Sequence, residues 1–370
     1  MMTMMTMIFL WSFEMNDTDI CIEQPEVTER VSRVETMRAV LRAYIGHSRD
    51  QLLESELDRL IESCELSCSI DDDHSSRVGR LAEGRILAVT GKPGAGKTRS
   101  LERIFRLRAS AWGAPCNHEG SQLVSVKAPS PCTLRQLGHT LLKQLGYRVE
   151  RDLRENVVWD MVRDRLKLCN VRYVHIDEIQ HAVDTANVNE VQKVRDTLKG
   201  LLQQSDWPVW LILSGKPSFA SFIENDTQLK RRSRFVHFGD LHLETDGQFL
   251  AKAVRGIITK IAKMELDAPL DQPFVARLIH AAGGQLGIAI EFVQDAIQEA
   301  LQDQATAVSL AHFAQAYEAR SGCTADRNVF TAEVWHHIDV SMALQDAHND
   351  AHSADPAPMK EKKVRDRRNK

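Results

Sequence analysis

RILAVTGKPGAGKTRSLERIF, residues 85–105, combines three local signals in one order. Ile86 to Val89 is a short apolar run of the kind that forms a buried strand. Gly91-Lys92-Pro93-Gly94-Ala95-Gly96-Lys97-Thr98 is a full match to G-x-x-x-x-G-K-[ST]. Leu101, Ile104 and Phe105 then recur at helical spacing. Strand, glycine loop and helix together are the context in which this pattern cradles phosphate. A chance glycine-rich turn would lack the flanking elements.

Each position has a task there. Glycines at 91, 94 and 96 let the backbone curl so that successive N–H groups point inward. A helix starting near Lys97 aims its positive end at the same point. Lys97 is expected to bridge the β- and γ-phosphates of ATP and to assist catalysis. Thr98 is expected to ligate Mg²⁺. Lys92, Pro93, Ala95 and Arg99 complete the expected nucleotide-binding set.

A second motif supports the first. Val171 to Glu178, VRYVHIDE, is an apolar-rich strand ending in two carboxylates. Downstream of a phosphate loop, Asp177 would hold the Mg²⁺ shell and Glu178 would polarise the attacking water. Val209 to Gly215, VWLILSG, is a further strand with a polar tip. In ATPases that insert a strand between the first and third, such a tip reaches between the two motifs, which makes Ser214 a sensor. Kinase chemistry on the same loop is disfavoured, because a water-activating Glu178 would waste the nucleotide.

The 370 residues are 43% hydrophobic and 26% charged, with a formal net charge of −4. That is more than one domain's worth of chain. It excludes a protein coated in nucleic acid while leaving room for a local basic surface. Seven cysteines without a disulfide pattern point to a reduced, cytoplasmic protein. Cys64/Cys68 and Cys116-Asn117-His118 lack the second pair that a zinc site needs. Residues 1–27 read as a disordered leader whose apolar run is too short to span a bilayer, so no membrane partner is expected.

In chain order, residues 28–84 read as an N-terminal helical arm. One apolar face uses Val31, Val34, Met37, Val40, Leu41 and Tyr44, and a second uses Leu52, Leu57, Leu60 and Ile61. The nucleotide core spans 85–240, with a strand at Leu123–Val126 and a leucine-rich helix from Leu134 to Leu145. Val188, Val191, Val194, Leu198, Leu201 and Leu202 mark a core-facing helix. Arg231, Arg232 and Arg234 precede a last short strand; Arg232 and Arg234 are the candidates for an arginine finger that enters a neighbouring subunit. Residues 241–320 read as a helical lid. Residues 321–370 form a C-terminal extension whose tail, Asp355 to Lys370, is basic and expected to be disordered.

Taken together the motifs resemble an AAA+ ATPase of the ORC/Cdc6-like branch, and within it the TniB/TnsC group of transposition ATPases. The likeness runs from about Thr28 to Trp335. It rests on AVTGKPGAGKTRSLERIF, VSVKAPSPCTLRQLGHTLLKQLGY, HIDEIQHA, LILSGKPSF with QLKRRSRF, AAGGQLGIAIEFVQDAI, and Asn328-Val329-Phe330. One departure is that Gly284-Gln285-Leu286-Gly287 lacks the arginine that many AAA+ lids place there, so the lid is not expected to reach the γ-phosphate directly.

The resemblance implies an α/β P-loop NTPase of the AAA+ fold: an ASCE-type parallel sheet flanked by helices, with the arm before it and the lid after it. It implies a slow, assembly-dependent ATPase using ATP and Mg²⁺. The assembly would be a homo-oligomer, ring or helical filament, on duplex DNA without sequence preference. It would pass target DNA to a DDE-type transposase, with a target-selector protein as a further partner. Arg135, Lys143, Arg148 and Arg151 are the folded candidates for phosphate contact. The alternative is an ATP-dependent interaction switch for a signalling, defence or secretion partner, without DNA.

Overall fold

The computed structural model describes residues 24–68, 83–149, 153–184 and 187–344. Two helices come first, α1 (Gln24–Arg42) and α2 (Ser48–Cys68). The core follows as β1 (Ile86–Gly91), α3 (Lys97–Leu107), β2 (Leu123–Lys127), α4 (Leu134–Gln144), α5 (Glu155–Leu168), β3 (Tyr173–Asp177), α6 (Val188–Leu202), β4 (Trp210–Gly215), α7 (Ser218–Glu224), α8 (Thr227–Arg232) and β5 (Ser233–Phe238). The sheet is parallel, in the order β2-β3-β4-β1-β5. β4 therefore lies between β1 and β3, as the inserted-strand reading requires.

Local chemistry explains the elements. β1, β3 and β4 are buried along their whole length, which a parallel sheet with helices on both faces demands of its central strands. Ile86, Ala88, Val174, Ile176, Leu211 and Leu213 face α4, α5 and α6, while Leu87, Val89, Tyr173, Trp210 and Ile212 face α2 and α3. Trp210 donates its indole N–H to Ser63 at 2.7 Å, pinning α2 to the sheet. The Thr133 hydroxyl and the Gln136 side chain form a capping box that starts α4. Edge strand β2 is closed by Asn117, whose side-chain amide pairs with both backbone groups of Ser125 at 2.7 and 3.1 Å.

The lid comprises α9 (Leu243–Arg255) with a π-helical turn (Gly256–Ile261), β6 (Glu265–Leu266), α10 (Gln272–Ala281), α11 (Leu286–Gln302), β7 (Ala307–Val308) and α12 (Leu310–Ser321). It has its own apolar core. Weak periodicity after Ser321 reflects irregular backbone rather than loss of packing. Asn328 is buried and donates to the Ala314 carbonyl at 2.8 Å, and Val329 and Phe330 fill the space between Phe274, Phe313 and Tyr317.

Three expectations need correction. Val31, Val34 and Leu41 are about half exposed, and the face of α1 that meets the lid is carried by Met37 and Val40. Val188 is 85% exposed, because α6 begins there; Val191 is half-buried against the core and Val194, Leu198, Leu201 and Leu202 are buried in it. Arg234 sits inside β5 rather than before it. The basic tail, Arg151 and residues 1–23 of the leader lie outside the described residues, while the leader's last four residues, 24–27, already belong to α1. No described helix is long and apolar enough to cross a membrane.

Candidate nucleotide-binding and hydrolysis site

Parallel strands present their carboxyl ends to one edge of the sheet, and that is where the site forms. The loop after β1 ends at Gly96, whose φ of 94° is open to glycine and strained for other residues. A Cβ there would meet nothing within 4 Å, so the conformation and not crowding calls for glycine, and space is left above the loop. Lys97 opens α3 and is 5% exposed. Its ammonium donates to the carbonyls of Gly91 and Lys92 at 2.8 and 3.0 Å, and among the described residues it has no ion-pair partner. Burial lowers its pKa, and the fields of Glu178 and Asp177 offset part of that. A buried cation with no ion-pair partner among the described residues, at the start of α3 behind a glycine loop, fits a polyphosphate.

Asp177 ends β3 opposite this loop. Its Oδ2 accepts from the Thr98 hydroxyl at 2.8 Å, and its Oδ1 accepts from Ser214 at 2.5 Å and from the Glu178 amide at 3.0 Å. Burial raises its pKa, but the bonds from Ser214 and Thr98 and the field of His175 outweigh burial and hold it below its ordinary value. Thr98, Asp177 and Ser214 thus converge, and the first two fit a hard cation with oxygen ligands. Glu178 is turned into the cleft by a left-handed backbone, φ 54°. Its carboxylate accepts from the amide of Gln180, which is fully buried and itself accepts from the Lys216 amide at 3.1 Å.

The cleft, about 300 Å³, has a third wall that the sequence reading missed. Residues 43–47 break the arm between α1 and α2, and Tyr44, Ile45 and Arg49 line the cleft opposite Leu286 and Ile290 of the lid. Arg49 donates to the Gly239 carbonyl at 2.9 Å and lies over the Phe238 ring, while its Nη2 is buried without a hydrogen-bond partner among the described residues. Apolar walls with an orphaned donor suit a base or ribose. Gly46-His47-Ser48, a helix break between two periodic runs, was the available signal.

Arg99 lines the same cleft. Its guanidinium donates to the carbonyls of Leu41 and Ala43 at 2.6 and 2.7 Å, and so fastens the arm to α3. Arg231, Arg232 and Arg234 lie at the amino end of β5, the edge of the sheet away from the loop. Arg232 is buried and paired with Glu83 at 2.5 and 2.7 Å. Arg234 pairs with Glu56 but is 57% exposed. Arg135 and Lys143 are exposed on α4 and Arg148 is exposed just beyond it, remote in sequence from the cleft's lining.

The lid meets the phosphate loop directly. A Cβ on Gly287 would stand 2.4 Å from the Gly94 carbonyl, a backbone atom that cannot step aside. Asp240 ties the two together, accepting from Lys92 at 2.6 Å and from Gln285 at 2.8 Å. The missing lid arginine is thus accompanied by contact with the loop itself. Gly287→Ala is expected to push α11 off the loop and weaken ATP binding about tenfold, in line with the ~1–3 kcal/mol cost of overpacking. Titration with a non-hydrolysable ATP analogue measures it; unchanged affinity would refute a closed lid.

Buried within β3, which the sequence reading took as apolar, is His175. Complete burial pushes its imidazole pKa down to about 4, against the partial pull of Asp177. Its ring is neutral at pH 7.

Residues 80–223 match the family model described as AAA domain. No curated protein matches the chain. Among solved structures it is similar to the ORC1 protein of Aeropyrum pernix in complex with DNA, at 18% identity and TM-score 0.52 over 79% of this chain and 70% of that one. It is similar to the ORC2 protein of the same organism in ADPNP-ADP complexes, at 14% and 0.53 over 76% and 71%. Cdc6p from Pyrobaculum aerophilum aligns at 11% and 0.51 over 75% and 69%. At these identities the likeness is one of fold. The chain carries an AAA domain in a P-loop AAA+ fold.

Proposed function

We propose that this chain is an ATP-binding and ATP-hydrolysing AAA+ regulator that assembles as a homo-oligomer on duplex DNA and presents target DNA to a DDE-type transposase. One observation carries the ATPase reading: buried Lys97, the Thr98–Asp177–Ser214 cluster and Glu178 meet at one cleft. In this reading the Gly91–Thr98 backbone and Lys97 hold the phosphates, and Thr98 and Asp177 hold Mg²⁺. Bound Mg²⁺ would neutralise charge on the phosphate oxygens. Glu178 orients and deprotonates the water, and Ser214 keeps Asp177 ionised and in place. Hydrolysis is expected to be slow in the lone subunit and to depend on assembly. Arg234, exposed at the far edge of the sheet, is the better finger for a neighbour's site, since Arg232 is committed to Glu83.

The transposition half rests on the TniB/TnsC resemblance of the motifs. The DNA half gains support from the fold shared with an ORC1 protein solved in complex with DNA. Arg135 and Lys143 stand two helical turns apart on α4, about 12 Å along its axis, so that they would meet separate, non-adjacent phosphates. A few cations per subunit bind weakly, and an ATP-driven oligomer sums them. DNA binding is therefore expected to require ATP, to ignore sequence and to fall steeply with salt. Lys143→Glu with Arg148→Glu should reduce it at least tenfold in an electrophoretic shift with ATP, while deletion of 355–370 should not. If only the tail deletion loses binding, the α4 surface is the wrong one. If the intact protein ignores DNA at low salt, the interaction-switch reading replaces transposition.

A further inference from the structure

We propose that His175 is a positioning residue that locks the Ser214 hydroxyl onto Asp177, and so fixes the carboxylate that faces Thr98. The functional consequence rests on the ATPase reading above; the proton assignment does not. Three neighbouring strands supply the chain of contacts. Ser125 on β2 sits opposite His175 on β3, with its hydroxyl 2.7 Å from Nδ1. Nε2 lies 2.9 Å from the Ser214 hydroxyl on β4, which is 2.5 Å from Asp177. An edge-on contact from Phe105, ring centres 5.2 Å apart, holds the imidazole in its slot.

The proton positions follow from counting donors. An ionised carboxylate only accepts, and a hydroxyl has one proton. Ser214 therefore gives its proton to Asp177 and offers a lone pair to Nε2. Nε2 must then carry hydrogen, which leaves Nδ1 bare to accept from Ser125. Turning the Ser214 proton toward Nε2 instead would set two acceptor oxygens against each other across the Ser214–Asp177 contact with no proton between them. Without the Nε2 donor, the Ser214 oxygen keeps one partner and its side chain is free to turn away from Asp177. A histidine two places before the carboxylate pair thus orders the hydroxyl at the tip of the next strand.

Two measurements on the full chain test this. In the nucleotide-free protein with ¹⁵N-labelled histidine, the His175 signals are identified by their loss in His175→Gln. Nε2 should resonate as a protonated nitrogen. An unprotonated Nε2 overturns the proposal. In steady-state ATPase assays, His175→Leu and His175→Asn should lose about tenfold in kcat with KM little changed, the scale of one buried hydrogen bond. His175→Gln, whose amide can occupy the Nε2 position, should stay within about threefold of wild type. Equal losses for Gln and Leu would mean that the ring only fills space, and wild-type kcat in His175→Leu would mean that it does nothing for Ser214; either result overturns the proposal. If the wild type hydrolyses no ATP, the ATPase reading fails and the tautomer measurement alone decides the relay.

Discussion

Lys97→Ala should lose ATP affinity by at least a hundredfold while the nucleotide-free protein melts within a few degrees of wild type. The lysine's ammonium is buried and bonds only to the Gly91 and Lys92 carbonyls. In the free protein its removal forfeits two hydrogen bonds to neutral acceptors but also relieves the cost of a desolvated cation, and these offset one another. In the complex the balance differs, because the same ammonium would bond to oxygens carrying full charge. Charge-assisted bonds contribute about 1.5–3 kcal/mol each, so losing two corresponds to roughly a hundredfold or more in Kd. Titration with a non-hydrolysable analogue and a thermal melt read the two halves separately. Near-normal affinity would reject the phosphate-loop assignment, and a collapsed melting temperature would show that Lys97 serves the fold.

How far the sequence could reveal this site depends on the distance over which each part is built. Gly91 to Thr98 is contiguous, its flanking strand is marked by a continuous apolar run and its helix by a periodicity of 3.6, so loop and context were legible together. The apolar runs ending at Asp177 and Ser214 were legible for the same reason, because central parallel strands must be apolar throughout. The cleft's third wall was not. Arg49 gains its place from Phe238 and Gly239, nearly two hundred residues later, and Tyr44 from Ser100 and Arg103 of α3, and no local pattern encodes either. Arg99 follows the motif directly, but its bonds to the open carbonyls at the end of α1 depend on a packing of arm against core that no local pattern encodes. Arg232 illustrates the same limit from the other side. Its partner Glu83 is 149 residues earlier, and only the folded sheet brings the two together. Val31, Val34 and Leu41 are apolar at helical spacing, yet periodicity cannot say which of two adjacent stripes meets the lid.

Glu178→Gln should leave ATP binding intact and slow hydrolysis about a hundredfold or more, the range attributed to a positioned general base. The substitution conserves shape, and its surroundings dictate how the new amide will sit. Gln180 presents an amide N–H to the Glu178 carboxylate, and Gln180 cannot rotate freely because its own oxygen is held by the Lys216 amide and it is fully buried. A glutamine at 178 must therefore turn its oxygen toward Gln180, since two N–H groups cannot face each other. Its NH₂ then points into the cleft, where it donates to a water instead of accepting that water's proton. The variant fails as a base by both chemistry and orientation. Because the phosphate-holding groups are untouched, any ATP-dependent oligomer should persist instead of dissociating as nucleotide turns over. Phosphate release and sedimentation, each with ATP, measure the two effects. Hydrolysis within about twofold of wild type would remove Glu178 from the mechanism and direct attention to another acceptor in the cleft.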